Sequence, residues 1–201
     1  IAKFEKEGKA YYDYLVMVGD KDLNFVLTSK QKELVERCVN SLKSNPNVVK
    51  EIFELEDGWE RNNEFELYWK ESITGLEMDC KGMIDILDIS HAKKKVIIKD
   101  FKTTSKSISK YKEAFEFWHT NRQLAFYANG LKKVMPEISD YKVKFKVIAI
   151  ETTGLNECRV FDISEEQILK GIDEYTVLLD EIAEGRECNW SNEFIYQNEI
   201  I

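Results

Sequence analysis

The stretch "VIIKDFKTT" (Val96 to Thr104) runs three branched apolar residues into Asp100 and Lys102, an acid and a base two positions apart. Side chains of a strand alternate between its faces, so Val96, Ile98, Asp100 and Lys102 share one side while Ile97, Lys99 and Phe101 share the other. Four acid-x-Lys triplets occur in the chain, beginning at Glu7, Asp79, Asp100 and Asp140, so the triplet alone signifies little. Only the third follows a buried-looking strand and has a second acid within reach. "CKGMIDILDI" (Cys80 to Ile89) reads as the preceding strand, with Met83, Asp85, Leu87 and Ile89 on one face. A hairpin tip at Ala92 and Lys93, inside the polar "SHAKK", sets Leu87 opposite Ile98, Ile89 opposite Val96 and Asp85 opposite Asp100. Directly opposed residues have Cβ atoms about 4.5 to 5.5 Å apart, and like charges there are destabilising. A divalent cation turns that repulsion into shared coordination, and hard carboxylate oxygens suit Mg²⁺ or Mn²⁺. Without the cation, one of the two acids is expected to have a raised pKa. Lys102, facing the same way, would stand at the rim of the site and orient a phosphate oxygen or an attacking water.

The elements that must position these groups follow from periodicity and punctuation. "TSKQKELVERCVNSLKSNP" opens with a capping box, Thr28 with Gln31, carries an apolar stripe from Leu34 to Leu42 and stops at Asn-Pro, which reads as a helix. "EFELYWK" (Glu64 to Lys70) alternates as a strand, "ITG" (Ile73 to Gly75) reads as a turn, and Cys80 to Ile89 and Lys95 to Lys102 form the hairpin above. Ser109 to Val134 reads as one long or broken helix, and "YKVKFKVIAIE" (Tyr141 to Glu151) as a strand entering a core. "SEEQILKGIDEYTVLLDEIAEG" starts on a second capping box, Ser164 with Gln167, and closes on Gly185. The order helix, three strands, helix, strand, helix predicts an α/β sandwich with a mixed central sheet flanked by helices.

Composition bounds the function. At 201 residues, 43% hydrophobic and 12% aromatic, the chain can bury a substantial core, and one domain is expected over 1–201, with a helical part over roughly 1–60 packed on it. Apolar runs such as "YLVMV" (Tyr14 to Val18) are too short to span a bilayer, so a cytoplasmic protein without membrane contact is expected. The absence of an initiator methionine at Ile1 suggests that residues precede it in the natural product. Cys38, Cys80, Cys158 and Cys188 form no C-x-x-C pair, which argues against a zinc knuckle and a compact disulfide framework. The net charge of -8 argues against indiscriminate coating of nucleic acid, but the charge is polarised. Between His91 and Lys112 eight lysines face one acid, a local balance of +7, and from Glu151 to the end the balance is -10. Such a lysine run is either a solvated face or a phosphate-binding one.

Taken together, "CKGMID", "VIIKDFKTT" and "RQLAFYANG" resemble the PD-(D/E)XK (restriction-endonuclease-like) nuclease superfamily, and within it the phage-type branch similar to exodeoxyribonuclease VIII (RecE-like). That branch shows a Gly-x-x-Asp strand, an Asp-x-Lys-Thr-Thr strand and a helix with Gln-x-x-x-Tyr. The resemblance extends upstream to "ELYWKESITG" and downstream to "ILKGIDEY" and a tryptophan near the end. It implies that Asp85 and Asp100 bind a catalytic Mg²⁺ (or Mn²⁺), with the Phe101 carbonyl as a further ligand, and that Lys102 positions or activates the water. Glu66 is the choice for the first-motif acid, with Glu64 on the same face as the alternative. Gln123 and Tyr127, one helical turn apart, match the fourth motif and would brace Lys102 or touch a phosphate. Lys99, Thr103, Thr104, Lys106, His119 and Arg122 are the expected DNA contacts. Where relatives carry Arg, this chain has Met83; no histidine stands in the first motif, and no iron-sulfur cluster is expected from the cysteine spacing. The implied activity is metal-dependent DNA exonuclease action on duplex ends in phage-type recombination, by a homo-oligomer working beside a single-strand annealing protein. An endonuclease with the same site and a non-catalytic DNA-binding module are the alternatives.

Overall fold

The computed structural model describes residues 28–73 and 75–187. Tyr14 to Val18, the triplet at Glu7, Cys188 and Trp190 lie outside the described residues. Two compact units divide after Glu36, inside helix α1 (Ser29–Ser44). The first contributes the expected capping box: Gln31 N–H donates to Thr28 Oγ1 at 3.2 Å while Gln31 Oε1 accepts from Thr28 N–H at 2.8 Å.

The second unit holds the sheet. Asn45 and Pro46 end α1 as expected, but they also begin a helix that the sequence reading did not separate, α2 (Pro46–Phe53). Proline at the first helical position needs no partner for an N–H, and Asn45 Oδ1 accepts from the N–H of Asn47 (3.1 Å) and Val48 (3.4 Å). Strands β1 (Glu60–Ile73), β2 (Leu76–Ser90) and β3 (Lys95–Thr104) come next. A 3₁₀ turn then leads into α3 (Tyr111–Phe117) and α4 (Thr120–Val134), followed by β4 (Lys142–Glu151), β5 (Cys158–Ile163) and α5 (Glu165–Glu187). The sheet order is β1-β2-β3-β4-β5, with β3 and β4 parallel and the other neighbours antiparallel. This is the expected α/β arrangement, a mixed sheet flanked by helices. The short β5 was not foreseen, and α5 runs through Gly185 rather than stopping there. Among the described residues no helix is long and apolar enough to cross a membrane.

One sheet face, with Leu87, Ile89, Val96, Ile98 and Val147, packs against Leu124, Ala125 and Leu131 of α4. α5 lies beside α4 so closely that a Cβ at Gly171 would stand 2.4 Å from the Asn121 carbonyl oxygen. The other face, with Phe101, Ile148 and Ile150, is covered by Val48 and Ile52 of α2 and by Cys38 and Leu42 of α1.

The β2–β3 register is the predicted one: Leu87 faces Ile98 and Ile89 faces Val96. The face assignment along β2 needs a correction. Ile84, Leu87 and Ile89 all join the α4-side cluster, whereas Met83 is exposed, so the alternation slips by one between Ile84 and Leu87. The slip sits where the β1–β2 ladder pairs Asn63 with Ile86 and Phe65 with Ile84 but skips Glu64 and Asp85. Glu64 has φ 50, a left-handed conformation that an ordinary residue adopts only under tertiary constraint.

Candidate active site

The irregularity in β2 opens the sheet at the acids. The β2–β3 ladder ends at Ile86 and Lys99, while β3 continues beside β4 through Asp100 to Thr104. The β1–β2 hairpin therefore peels away from β3 at the level of Asp85, leaving a fork between the two strands. Its first unpaired donor is the Phe101 N–H, which Asp85 Oδ2 accepts at 2.6 Å in place of a strand carbonyl. That bond fixes the Asp85 carboxylate against the Asp100–Phe101 peptide.

Asp100 is only 4% exposed. Lys102 Nζ donates to Asp100 Oδ1 at 3.0 Å and stands 2.8 Å from Oδ2 without hydrogen-bond alignment, so Oδ2 is buried with no hydrogen-bond partner. Burial pushes the Asp100 carboxyl above the ordinary aspartate value of 3.8, Lys102 offsets part of that, and the negative Asp85 adds a smaller rise. A raised acid was expected from carboxylate repulsion; desolvation is the larger cause. Two carboxylates against one ammonium leave the fork one positive charge short. An orphaned anionic oxygen, hard oxygen donors and a net negative charge fit a divalent cation of the Mg²⁺ type, which is commonly held by one or two carboxylates with water and substrate phosphate completing the shell. Among the described residues no group of three or more His, Cys, Asp or Glu side chains could hold a metal.

Gln123 and Tyr127 do lie on one face of α4, with Gln123 Nε2 donating to the Tyr127 hydroxyl at 2.9 Å. Gln123 lines a cleft of about 270 Å³ together with Lys102, Thr103, Tyr111, Trp118 and Thr120. The Tyr127 ring lies flat over Gly82, where a Cβ would stand 2.7 Å from Cε1. The glycine of "CKGMID" is thus a packing requirement of the tyrosine, which sets how α4 approaches β2.

Several expected positions are placed elsewhere. Glu66 is exposed on the β1 face opposite Leu67 and Trp69, across from Met83, its carboxylate accepting only from the Tyr68 hydroxyl at 3.3 Å, and among the described residues it forms no three-acid metal-holding group with Asp85 and Asp100. Glu64 is likewise exposed. Lys99 cannot meet DNA: it is 3% exposed and its ammonium is held by Asp88 and Glu51, each at 2.9 Å. Thr104 is buried, with Oγ1 accepting the Lys106 N–H at 3.1 Å, so its hydroxyl shapes a turn and does not reach a phosphate. Thr103 and Lys106 are exposed, Lys106 beside Glu113 at 3.2 Å. Arg122 is half-buried in the first turn of α4. His119 caps α4 with φ 49, its Nδ1 3.1 Å from Glu174 Oε2, so the ring is engaged by that carboxylate. Much of the +7 balance of the lysine run is offset in the fold, largely by acids from outside the run. Lys93, Lys94, Lys99, Lys102 and Lys106 are all paired with acids from other elements or from their own strand.

Two further residues, one lining the cleft and one bracing a loop beside it, carry no motif in the sequence. Tyr111 is buried, and burial together with the nearby Asp100 charge holds its phenol in the neutral form. Nothing in the spacing sets Tyr111 apart from Phe115 and Phe117 in this aromatic-rich segment. Glu151, at the end of β4, accepts the Ile108 N–H at 2.9 Å and the Leu155 N–H at 3.1 Å, which keeps its carboxyl below the ordinary range and ties down the loop that follows β3.

No curated protein matches the sequence. A crystal structure from Eubacterium rectale, named as a candidate exonuclease, overlays with TM-score 0.58 at 11% identity, covering 100% of this chain and 74% of that one. A second, of the protein SSO0001, reaches TM-score 0.38 at 15% identity over 88% of this chain and 69% of that one, too loose an overlay to argue from. The first likeness bears on the fold alone, a central mixed sheet with flanking helices. At the level of sequence, residues 11–189 match the family described as a PDDEXK-like domain of unknown function (DUF3799), and the chain belongs to that family.

Proposed function

We propose that this chain is a metal-dependent deoxyribonuclease that hydrolyses phosphodiester bonds at the fork between β2 and β3. The observation that carries the reading is Asp100: a buried carboxylate with an unpartnered oxygen, beside a second carboxylate and paired with Lys102, which itself lines an open cleft. Burial of such a group without compensation costs stability, which a fold retains where function uses it.

Asp85, Asp100 and the Phe101 carbonyl would hold the cation. A bound Mg²⁺ or Mn²⁺ supplies the positive charge that phosphate oxygens need as the transition state forms. The chain's own groups do the rest. Lys102, partly exposed at the cleft wall and anchored by Asp100, holds a water or a phosphate oxygen in line and neutralises developing charge. Gln123, anchored by the Tyr127 hydroxyl, limits the space in which Lys102 can swing. Tyr111, as a neutral phenol, excludes water from the inner side of Asp100. Uncatalysed hydrolysis of phosphate esters is so slow that an enzyme must lower the barrier by on the order of 20 kcal/mol.

Exonuclease action on duplex ends, a RecE-like role in phage-type recombination, a homo-oligomeric assembly and an annealing partner rest on the motif resemblance, whereas a cytoplasmic location rests on the shortness of the apolar runs. The test is digestion of an end-labelled linear duplex and a covalently closed circle with Mg²⁺ or EDTA, comparing wild type with Asp100→Ala and Lys102→Ala. Cation-dependent loss of the linear DNA alone, abolished by both substitutions, is expected. Cleavage of the circle would reassign the protein as an endonuclease. Intact DNA in every lane, with binding unaffected by the substitutions, would leave a DNA-binding module.

A further inference from the structure

The helical segment after β3 breaks at a place where the chain places two large aromatics in water. Phe117 is 67% exposed and Trp118 73% exposed, their ring centroids 4.9 Å apart and their planes at 88°. Burying such a side chain is worth about 1.5 to 3 kcal/mol, so leaving two adjacent ones outside a core needs an account. Their setting is ordered. Trp118 N–H donates to the Ala114 carbonyl at 3.0 Å, and the next residue, His119, turns the chain through φ 49. The His119 carbonyl then accepts from Arg122 (3.0 Å) and Gln123 (3.3 Å), and its imidazole is held by Glu174. An ordinary residue in the left-handed region costs about 1 to 2 kcal/mol, a strain met at sites where side-chain aim matters.

That aim is toward the fork. Trp118 lines the same cleft as Lys102 and Gln123. The occupant must therefore present a phosphate to Lys102 and a flat apolar face to the indole within one small cleft. An unpaired nucleotide does both. A base-paired one does not, because its faces are hidden in the stack except at the last pair. At about 270 Å³ the cleft falls just under the range of roughly 300 to 1,000 Å³ typical of single small ligands, far from a groove for a duplex. Lys110, exposed on the turn before α3, and Arg122, at the start of α4, flank the aromatic pair and offer charge to the backbone of an incoming strand.

We infer that Trp118, supported edge-on by Phe117, is a stacking platform for an unpaired base next to the scissile phosphate, so that the site takes single-stranded or frayed strand ends in preference to paired ones. This rests on the nuclease reading of the cleft and names the form of DNA it accepts. Stacking on an aromatic side chain tolerates any base, so the preference is for strandedness and not for sequence.

The test separates stacking from chemistry. Binding of a fluorescein-labelled single-stranded decanucleotide and of a blunt duplex is measured by anisotropy in EDTA, for wild type, Trp118→Phe, Trp118→Leu and Trp118→Ala. Cleavage of blunt and splayed duplex ends in Mg²⁺ is followed in parallel. Expected are tighter binding of the single strand, a loss of roughly 5- to 100-fold for the Leu and Ala variants, near-wild-type binding for the Phe variant, and faster cleavage of splayed ends. Trp118 is exposed, so these variants should fold, which circular dichroism checks. Equal single-strand binding by all four proteins, or a Leu variant as good as the Phe one, overturns the platform even if Asp100-dependent cleavage persists. Trp118-dependent binding without cleavage under any cation keeps the platform and overturns the nuclease reading.

Discussion

The two faces of β3 both bury charge, in opposite ways. On the α2 side, Lys99 meets Asp88 and Glu51; Arg61 meets Asp88 at 2.6 Å, and Lys146 meets Glu51 at 2.8 Å and Asp162 at 3.1 Å. Three cations face three carboxylates there. Burial pushes Asp88 upward, yet its hydrogen bonds to Arg61 and Lys99 outweigh this and hold it below the ordinary value; Glu51 behaves alike through Lys146 and Lys99. At the fork, one residue along, Lys102 pairs with Asp100, Asp85 has only the Phe101 N–H as its partner among the described residues, and Asp100 is pushed up. The first cluster is a closed ionic joint between α2 and the sheet. The second is left open, and the missing positive charge is its chemical resource. Residue types hardly differ between the two; the count of partners does.

The largest expected effect tests the open side. Lys102→Ala and Asp100→Ala should each reduce Mg²⁺-dependent cleavage by on the order of 10³-fold, read by the linear-duplex assay. Activity within tenfold of wild type would remove the fork from the chemistry. Second in size, Lys99→Met should cost about 3 to 5 kcal/mol in urea unfolding, since it strands buried acids. A loss below about 1 kcal/mol, typical of exposed pairs, would show that the closed joint is more solvated than its burial indicates.

Smaller effects distinguish the two sides by pH. Asp100 has a folded pKa above its unfolded one, so the folded state binds the extra proton, and cation-free stability should fall as pH rises from about 3.8 through the raised value. Asp88 has the opposite sign: its contribution is present above 3.8 and is lost as pH falls through its lowered folded value. Asp100→Asn should therefore raise cation-free stability at pH 7 by about 1 kcal/mol while erasing stabilisation by added Mg²⁺. A destabilised Asn variant in EDTA would contradict the uncompensated-charge account. The smallest effect is expected at Glu66: Glu66→Gln should change stability by less than about 0.5 kcal/mol and cleavage by less than about twofold, because the side chain is exposed and its one hydrogen bond is to the Tyr68 hydroxyl.

The hairpin register was legible because it depends only on the position of the polar tip and on period-two alternation, both local. The capping boxes at Thr28 and Ser164 were legible for the same reason, as was the pairing of Gln123 with Tyr127 one turn later. The choice between Glu66 and Glu64 rests on the motif resemblance, and nothing in "NNEFELYW" marks the left-handed residue at Glu64 that interrupts the alternation there. Lys99 was misjudged because a lysine among lysines looks solvated until Asp88 and Glu51, far off in sequence, are brought beside it. The short β5 carries too few residues for its period to stand out.

What the sequence determined by itself is thus the local grammar: which segments are strands, where the hairpin turns, and that Asp85, Asp100 and Lys102 come to one end of it. Tertiary structure decided the rest: that β2 leaves β3 at Asp85, that Asp100 keeps an oxygen without a partner, that Lys99 is sequestered and that Trp118 enters the cleft. The division has a physical cause. Backbone periodicity and turn chemistry act over a few residues, whereas desolvation and charge compensation depend on which distant groups the packed helices bring to the same few ångströms.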